Sequence, residues 1–270
     1  MEKIWLKSYP AGVPATINPA AYASLPALFD ETCALYADKK AYLSFGVNMT
    51  FAALAKEAEA CACAFQQILG LQKGDRIGIM LPNLLQYPIV LWGALKAGLI
   101  VVNMNPQYTE RELLIQVKDS GCVALVVLDL FYKKVVDIQP ETTLKQVIVT
   151  QVGDYIGSKG LALNASMKLS GRAPWFIRKS EAVYGLKSLI QSQKGKSYVA
   201  PELSLSDSAF LQYTGGTTGT PKGAMLTHGN LVANILQAEA WFSRSVIPGQ
   251  EILITALPLY HIFSLMADAM

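Results

Sequence analysis

The chain has 270 residues, a formal net charge of +3, 52% hydrophobic residues and only 16% charged ones, against about 25% charged in typical soluble domains. That composition excludes a disordered or low-complexity chain, and the length suffices for one large domain or two modest ones with a full apolar core. Four cysteines, Cys33, Cys61, Cys63 and Cys122, exclude a disulfide scaffold, and no Cys-x-x-Cys or Cys/His spacing marks a zinc site, so the expectation is a reduced, cytoplasmic protein.

Met1 to Pro10 lacks the apolar run of a secretory signal. Leu25 to Tyr36 reads as a helix and Ala41 to Phe45 as a short strand. Thr50 is placed to cap an Ala-rich helix running to Leu69, with Phe51, Leu54, Ala58, Cys61, Phe65 and Ile68 on one face. Arg76 to Leu81 is an apolar strand of the kind buried in parallel sheets. The most apolar stretch, Leu84 to Met104, is broken by Gln86, Pro88, Lys96 and Asn103. It reads as a buried helix, Tyr87 to Lys96, followed by a buried strand, Leu99 to Val102, in preference to a membrane span.

Thr109, with Glu112 three residues later, has the capping-box pattern of a helix ending at Ser120 and Gly121. Val123 to Leu128 and Gln146 to Thr150 are further apolar strands. Beyond an interruption, Ser208 to Tyr213 reads as a strand, Thr227 to Phe242 as a helix and Glu251 to Ala256 as a strand. The alternation predicts an α/β protein of layered βαβ units with largely parallel sheets.

The interruption, residues 155–200, carries the excess of positive charge. Lys159, Lys168, Arg172, Arg178, Lys179, Lys187, Lys194 and Lys196 face a single acid, Glu181, and are mixed with Leu161, Leu169, Trp175, Phe176 and Ile177. A surface meeting an anionic membrane has this mixture, and so has a long solvated insertion. No nucleic-acid motif accompanies the charge.

Tyr213 to Ala224 reads YTGGTTGTPKGA. Glycines at 215, 216, 219 and 223 allow close backbone approach to a ligand. Hydroxyls of Thr214, Thr217, Thr218 and Thr220 and the ammonium of Lys222 add donors, a set suited to polyphosphate. A Walker loop needs Gly-Lys-Ser/Thr, whereas Pro221 precedes Lys222 and Gly223 follows it, and Pro221 has no N–H to give. His261, in PLYHIF, is either a satisfied core residue or a polar group aimed into an apolar pocket. His228 reads as a surface or capping residue at the start of a helix.

The loop resembles the phosphate-binding signature of the acyl-adenylate-forming superfamily, which comprises acyl-CoA synthetases, luciferases and peptide-synthetase adenylation domains. Gly215 stands where many members have serine, and in this it resembles bacterial long-chain fatty-acid–CoA ligases, whose loops carry glycine there. KGDRIGIMLPN (Lys73 to Asn83), Ala94 to Gly121, TALPLYHIF (Thr255 to Phe263), WLKSYP and LLQYP extend the likeness over nearly the whole chain. The resemblance implies part of the family's large N-terminal domain: residues 1–154 as a first α/β subdomain, 155–200 as a basic aromatic insertion, and 201–270 as the start of a second subdomain. The rest of that domain and a mobile C-terminal domain would lie outside these residues.

It further implies that a carboxylate attacks ATP to give acyl-AMP and pyrophosphate, with Mg²⁺, and that coenzyme A then takes the acyl group. Tyr213, Thr214, Gly215, Gly216, Thr217, Thr218, Gly219, Thr220, Pro221, Lys222, Gly223 and Ala224 would hold ATP, and His261 would contact the acyl substrate. No catalytic residue and no metal ligand is assigned within the chain. The expected partners are a fatty acid, ATP, coenzyme A and, peripherally, the inner face of an anionic membrane. A ligase for medium-chain or aryl acids, and a non-catalytic lipid- or nucleotide-binding homologue, are the competing readings.

Overall fold

The computed structural model describes residues 2–177, 182–214, 221–243 and 245–270. Helix α1 (Leu25–Leu35) starts at Ser24, whose hydroxyl accepts from the Ala27 N–H. A hairpin of β1 (Lys40–Ser44) and β2 (Val47–Thr50) turns through Phe45 and Gly46, at φ 50° and 79°. Two residues of positive φ give the turn a twist that matches the strands. Thr50 then caps α2 (Phe51–Gln67).

From here strands and helices alternate. They are β3 (Arg76–Met80), α3 (Gln86–Lys96), β4 (Ile100–Asn103), α4 (Glu110–Ser120), β5 (Ala124–Leu128), α5 (Tyr132–Ile138) and β6 (Gln146–Thr150). Next come α6 (Gly157–Leu169), β7 (Val183–Gly185) and α7 (Leu186–Gln191), then β8 (Ser208–Thr214), β9 (Lys222–Thr227) and α8 (His228–Phe242). The capping box of Thr109 and Glu112 is present, and Gly121 ends α4 in the left-handed conformation.

One seven-stranded sheet has the order β7-β6-β5-β3-β4-β8-β9, parallel throughout except for β9, which runs antiparallel to β8. Both faces are covered. Ile77, Ile79, Val126 and Ile148 pack with α2, α3 and α7 on one side, and Val102, Leu125, Val127 and Val149 pack with α4 and α5 on the other. Residues so placed have no solvated face to alternate with, which is why these strands read as apolar runs.

Every residue of α3 is buried. The close approach of α2 requires glycine at 93, where an added Cβ would lie 2.7 Å from Cys61 Cβ. Lys96, at the end of α3, is buried with its ammonium paired to Asp30 and 5.7 and 5.5 Å from the ring centres of Phe29 and Tyr198. Leu84 to Met104 is thus a buried helix and strand, and among the described residues no helix is long and apolar enough to cross a membrane.

Two expectations are corrected. Residues 251–256 form no strand. Ile252 and Ile254 are 91% and 87% exposed, and β9 already occupies that edge of the sheet, so no neighbouring strand among the described residues takes their backbone groups. His228 is not at the surface. It is the first residue of α8, with Thr227 as the cap, and its buried Nδ1 accepts the backbone N–H of Leu25 at 3.2 Å, satisfying one free donor at the start of α1.

Burial pushes the His228 pKa down to about 4 from 6.5. Its folded-state value lies below the unfolded one, so the unfolded chain takes up a proton first as pH falls. The contribution of His228 to stability should be flat above about pH 6.5 and decline by at most about 1.4 kcal/mol per pH unit down to about pH 4. Urea unfolding at pH 7.5, 6 and 5 measures this, and His228→Asn, which keeps an acceptor but cannot titrate, should remove the histidine's share of the slope.

Candidate functional site

In a parallel sheet covered on both faces, ligands collect beyond the C-terminal strand ends, where neighbouring connections leave toward opposite faces. In the order β7-β6-β5-β3-β4-β8-β9 that point lies between β3, whose connection α3 packs on one face, and β5, whose connection α5 packs on the other, and a polar network lies beside it on the β4–β8 side. Three structures converge there, namely the connection after β3, the end of β4 and the end of β8.

The segment of residues 255–261 is fastened across this edge. Asn83, just after β3, donates from Nδ2 to the carbonyls of Leu257 (2.8 Å) and Thr255 (3.2 Å) and accepts the Leu259 N–H at 2.8 Å. The buried Tyr87 hydroxyl is 2.9 Å from both Asn103 Oδ1 and the Leu259 carbonyl, so its one proton bridges two acceptors. Burial holds the Tyr87 pKa far above its ordinary value, so the proton stays in place. Asn103, the last residue of β4, donates from Nδ2 to Gln212 Oε1 at 3.1 Å, and Gln212 Nε2 donates to the Tyr260 carbonyl at 3.0 Å. Gln116 Nε2 completes the set at the Asn103 carbonyl, 2.9 Å away.

On β8 and β9 the residues expected to hold phosphate fall into two groups. Gly215, Gly216, Thr217, Thr218, Gly219 and Thr220 lie outside the described residues. Tyr213, Thr214, Pro221, Lys222, Gly223 and Ala224 frame them. Thr214 pairs with Lys222, Tyr213 with Gly223 and Gln212 with Ala224, so the loop joins the tips of two paired strands. The Tyr213 hydroxyl donates to Asp119 Oδ2, and burial with the Asp119 charge raises its pKa, keeping it a donor. Its ring lies against Gly223, where an added Cβ would meet ring carbons at 3.0 Å. Glycine at 223 therefore serves the packing of Tyr213.

Lys222 is exposed at the hairpin tip. Helix α8 starts six residues later with its first turn already closed by a Thr227 and Asn230 capping box, so it does not offer the free N-terminus that a Walker loop uses. The donors left to this hairpin are hydroxyl, ammonium and loop N–H groups. Among the described residues no group of three or more His, Cys, Asp or Glu could hold a metal ion.

His261 is exposed. Its N–H donates to the Pro258 carbonyl and its carbonyl accepts from Leu265 N–H, so its backbone starts the terminal helical turn. Since Gln212 grips Tyr260, His261 is carried close to β8, whose Thr214 lies two residues on, about 7 Å along the strand. The structure thus attaches the segment carrying His261 to β8 through Gln212, and it places His228 elsewhere, against the start of α1. Asn83, Tyr87, Asn103 and Gln212 were missed by the sequence reading. The available signal was polar side chains inside apolar strands, Asn103 in IVVN and Gln212 in AFLQY.

The model of the AMP-binding enzyme family matches residues 29–270. The chain is 45% identical over its whole length to a long-chain-fatty-acid–CoA ligase of Yersinia pestis, covering 48% of it, and 46% identical over 98% of its length to that of Salmonella typhimurium, covering 47%. It therefore spans about half the length of the curated relatives it matches. The crystal structure of a long-chain-fatty-acid-CoA ligase from Archaeoglobus fulgidus has the same fold, with a TM-score of 0.71 at 23% identity over 97% of this chain and 47% of that one. Matched by the family model over most of its length and by these ligases from end to end, the chain belongs to the AMP-binding enzyme family.

Proposed function

We propose that the protein to which this chain belongs joins long-chain fatty acids to coenzyme A through an acyl-AMP intermediate, and that the chain supplies the phosphate-binding hairpin and part of the acyl end of the site. The observation that carries this reading is that Gln212 of β8 holds the Tyr260 carbonyl, next to His261, on the strand whose end pairs Thr214 with Lys222, in a chain 45% identical to a named long-chain ligase. Medium-chain specificity has weaker support, since a human medium-chain acyl-CoA ligase is 34% identical over 83% of the chain.

A carboxylate is a poor acylating agent because its leaving group would be oxide. Attack of a carboxylate oxygen on the α-phosphorus of ATP forms one P–O bond and breaks another, expelling pyrophosphate. Attack of the coenzyme A sulfur on the acyl carbon then expels AMP, with the thiol proton passing to solvent. Negative charge grows on the departing phosphates in the first step, and preorganised donors stabilise it. Lys222 and the loop from Tyr213 to Ala224 fill this role, and His261 contacts the acid. The hairpin carries no carboxylate, so Mg²⁺ would reach this chain as the counter-ion of the ATP phosphates.

We also assign the protein a cytoplasmic location with peripheral contact to the inner face of an anionic membrane. Within the basic segment, α6 is seated by glycine: an added Cβ at Gly160 would meet the Gly153 carbonyl oxygen at 1.8 Å, and Asn164 Oδ1 accepts the Gly153 N–H. Leu161, Ala165, Lys168 and Leu169 share a helical face. Leu161, Leu169, Trp175 and Phe176 are exposed beside Lys159 and Arg172, and no acid lies between Tyr155 and Ile177. Residues 183–191 differ, since β7 pairs with β6 and Leu186, Leu189 and Ile190 are buried, while Lys194 is paired with Glu57 at 2.5 Å. The membrane contact is therefore assigned to residues 157–177.

In the full-length protein, Lys222→Ala should lower acid-dependent pyrophosphate exchange by about 10²-fold with a melting temperature nearly unchanged, as for other exposed substitutions. Exchange at the wild-type rate would remove Lys222 from the phosphate site, and a series of acids of graded length identifies the substrate class. In sedimentation with anionic-lipid vesicles, the pair Lys168→Glu and Arg172→Glu, and separately the pair Trp175→Ala and Phe176→Ala, should each abolish binding. Retention by both pairs would rule out this surface.

A further inference from the structure

Gln212 occupies a position that nothing about the phosphate loop requires. It is buried in β8, two residues before Thr214, and both ends of its amide are used: Nε2 on the Tyr260 carbonyl at 3.0 Å, Oε1 on Asn103 Nδ2 at 3.1 Å. A leucine or methionine would fill comparable space without bringing polar atoms into the core. An amide is worth its burial only where it is directionally paired. Its partners lie on two elements distant in sequence, β4 and the 255–261 segment, and Tyr87 and Asn83 fasten the same segment from the connection after β3.

We propose that Gln212 is a positioning residue for the adenylation step. From a single strand it fixes the backbone of Tyr260, and through it His261, in register with the strand end that carries Thr214 and the phosphate loop. The two reactants then share one rigid reference, with the acid held by the 260–261 end and the phosphates by the tip of β8. Displacement of a reacting group by about 1 Å can cost about 10²-fold in rate, so a rigid link between the two halves has direct kinetic value. The proposal rests on the assignment of the loop to ATP and of His261 to the acyl substrate.

Two measurements on Gln212→Leu test it. On this 270-residue chain, hydrogen exchange should speed up at the Leu259 and His261 amides, with the amides of Val147 to Val149 unchanged. In the full-length protein, KM for the fatty acid should rise by about tenfold while KM for ATP changes less than twofold. A core variant far from the site, Val147→Ala, adjusted to the same loss of melting temperature by choice of assay temperature, should leave the ratio of the two KM values as in the wild type. Equal changes in both constants, a matching effect from Val147→Ala, or unchanged exchange at Leu259 and His261 would each overturn the positioning role. If the wild-type protein forms no acyl-AMP from any fatty acid, the ligase reading fails instead, and the exchange measurement still decides whether Gln212 fixes the segment.

Discussion

A sheet wrapped by helices on both faces can place polar chemistry only at its strand ends, and that constraint organises this molecule. Along β3, β5 and β6 every inward and outward position past the first is buried, so the strand interiors offer packing alone. Polar groups collect where the strands stop. Asn83, Tyr87, Asn103 and Gln212 form one connected set there, and a half-satisfied set would cost more than an apolar core. The backbone carbonyls of residues 255–260 complete it. The polar network and the attachment of the 255–261 segment are thus the same structure.

The hairpin of β8 and β9 follows from the same constraint. β8 is central enough to pair with β4, yet its last residues emerge at the open edge. The antiparallel return strand β9 brings the chain back beside β8, and α8 begins only after it. Pro221 and the capped start of α8 set this hairpin apart from a Walker loop. Tyr213, packed on Gly223 and bonded to Asp119, braces the loop end of the hairpin against α4.

Much of this was legible in the residues. The apolar runs RIGIM, ALVVL and QVIVT announced buried parallel strands, and Thr50, Thr109 with Glu112, and Thr227 marked helix starts by local hydrogen bonding that needs no distant partner. Residues 251–256 were misread for the opposite reason: a strand exists only if another strand takes its N–H and C=O groups, and apolar β-branched residues cannot reveal whether one is there.

His228 shows the same division. Its place at a helix start could be read locally, but its burial and its bond to Leu25 depend on a helix some 200 residues earlier in the chain. The sequence by itself determined the α/β class and the helix caps, because propensity, apolar patterning and local hydrogen bonding act over a few residues. Only the tertiary structure decided which polar side chains meet at the strand ends, that Tyr260 is held by Gln212, and that Leu186, Leu189 and Ile190 are buried while Leu161, Leu169, Trp175 and Phe176 are exposed. Those outcomes depend on how distant elements pack, and the strand order that brings them together is not written in any one segment.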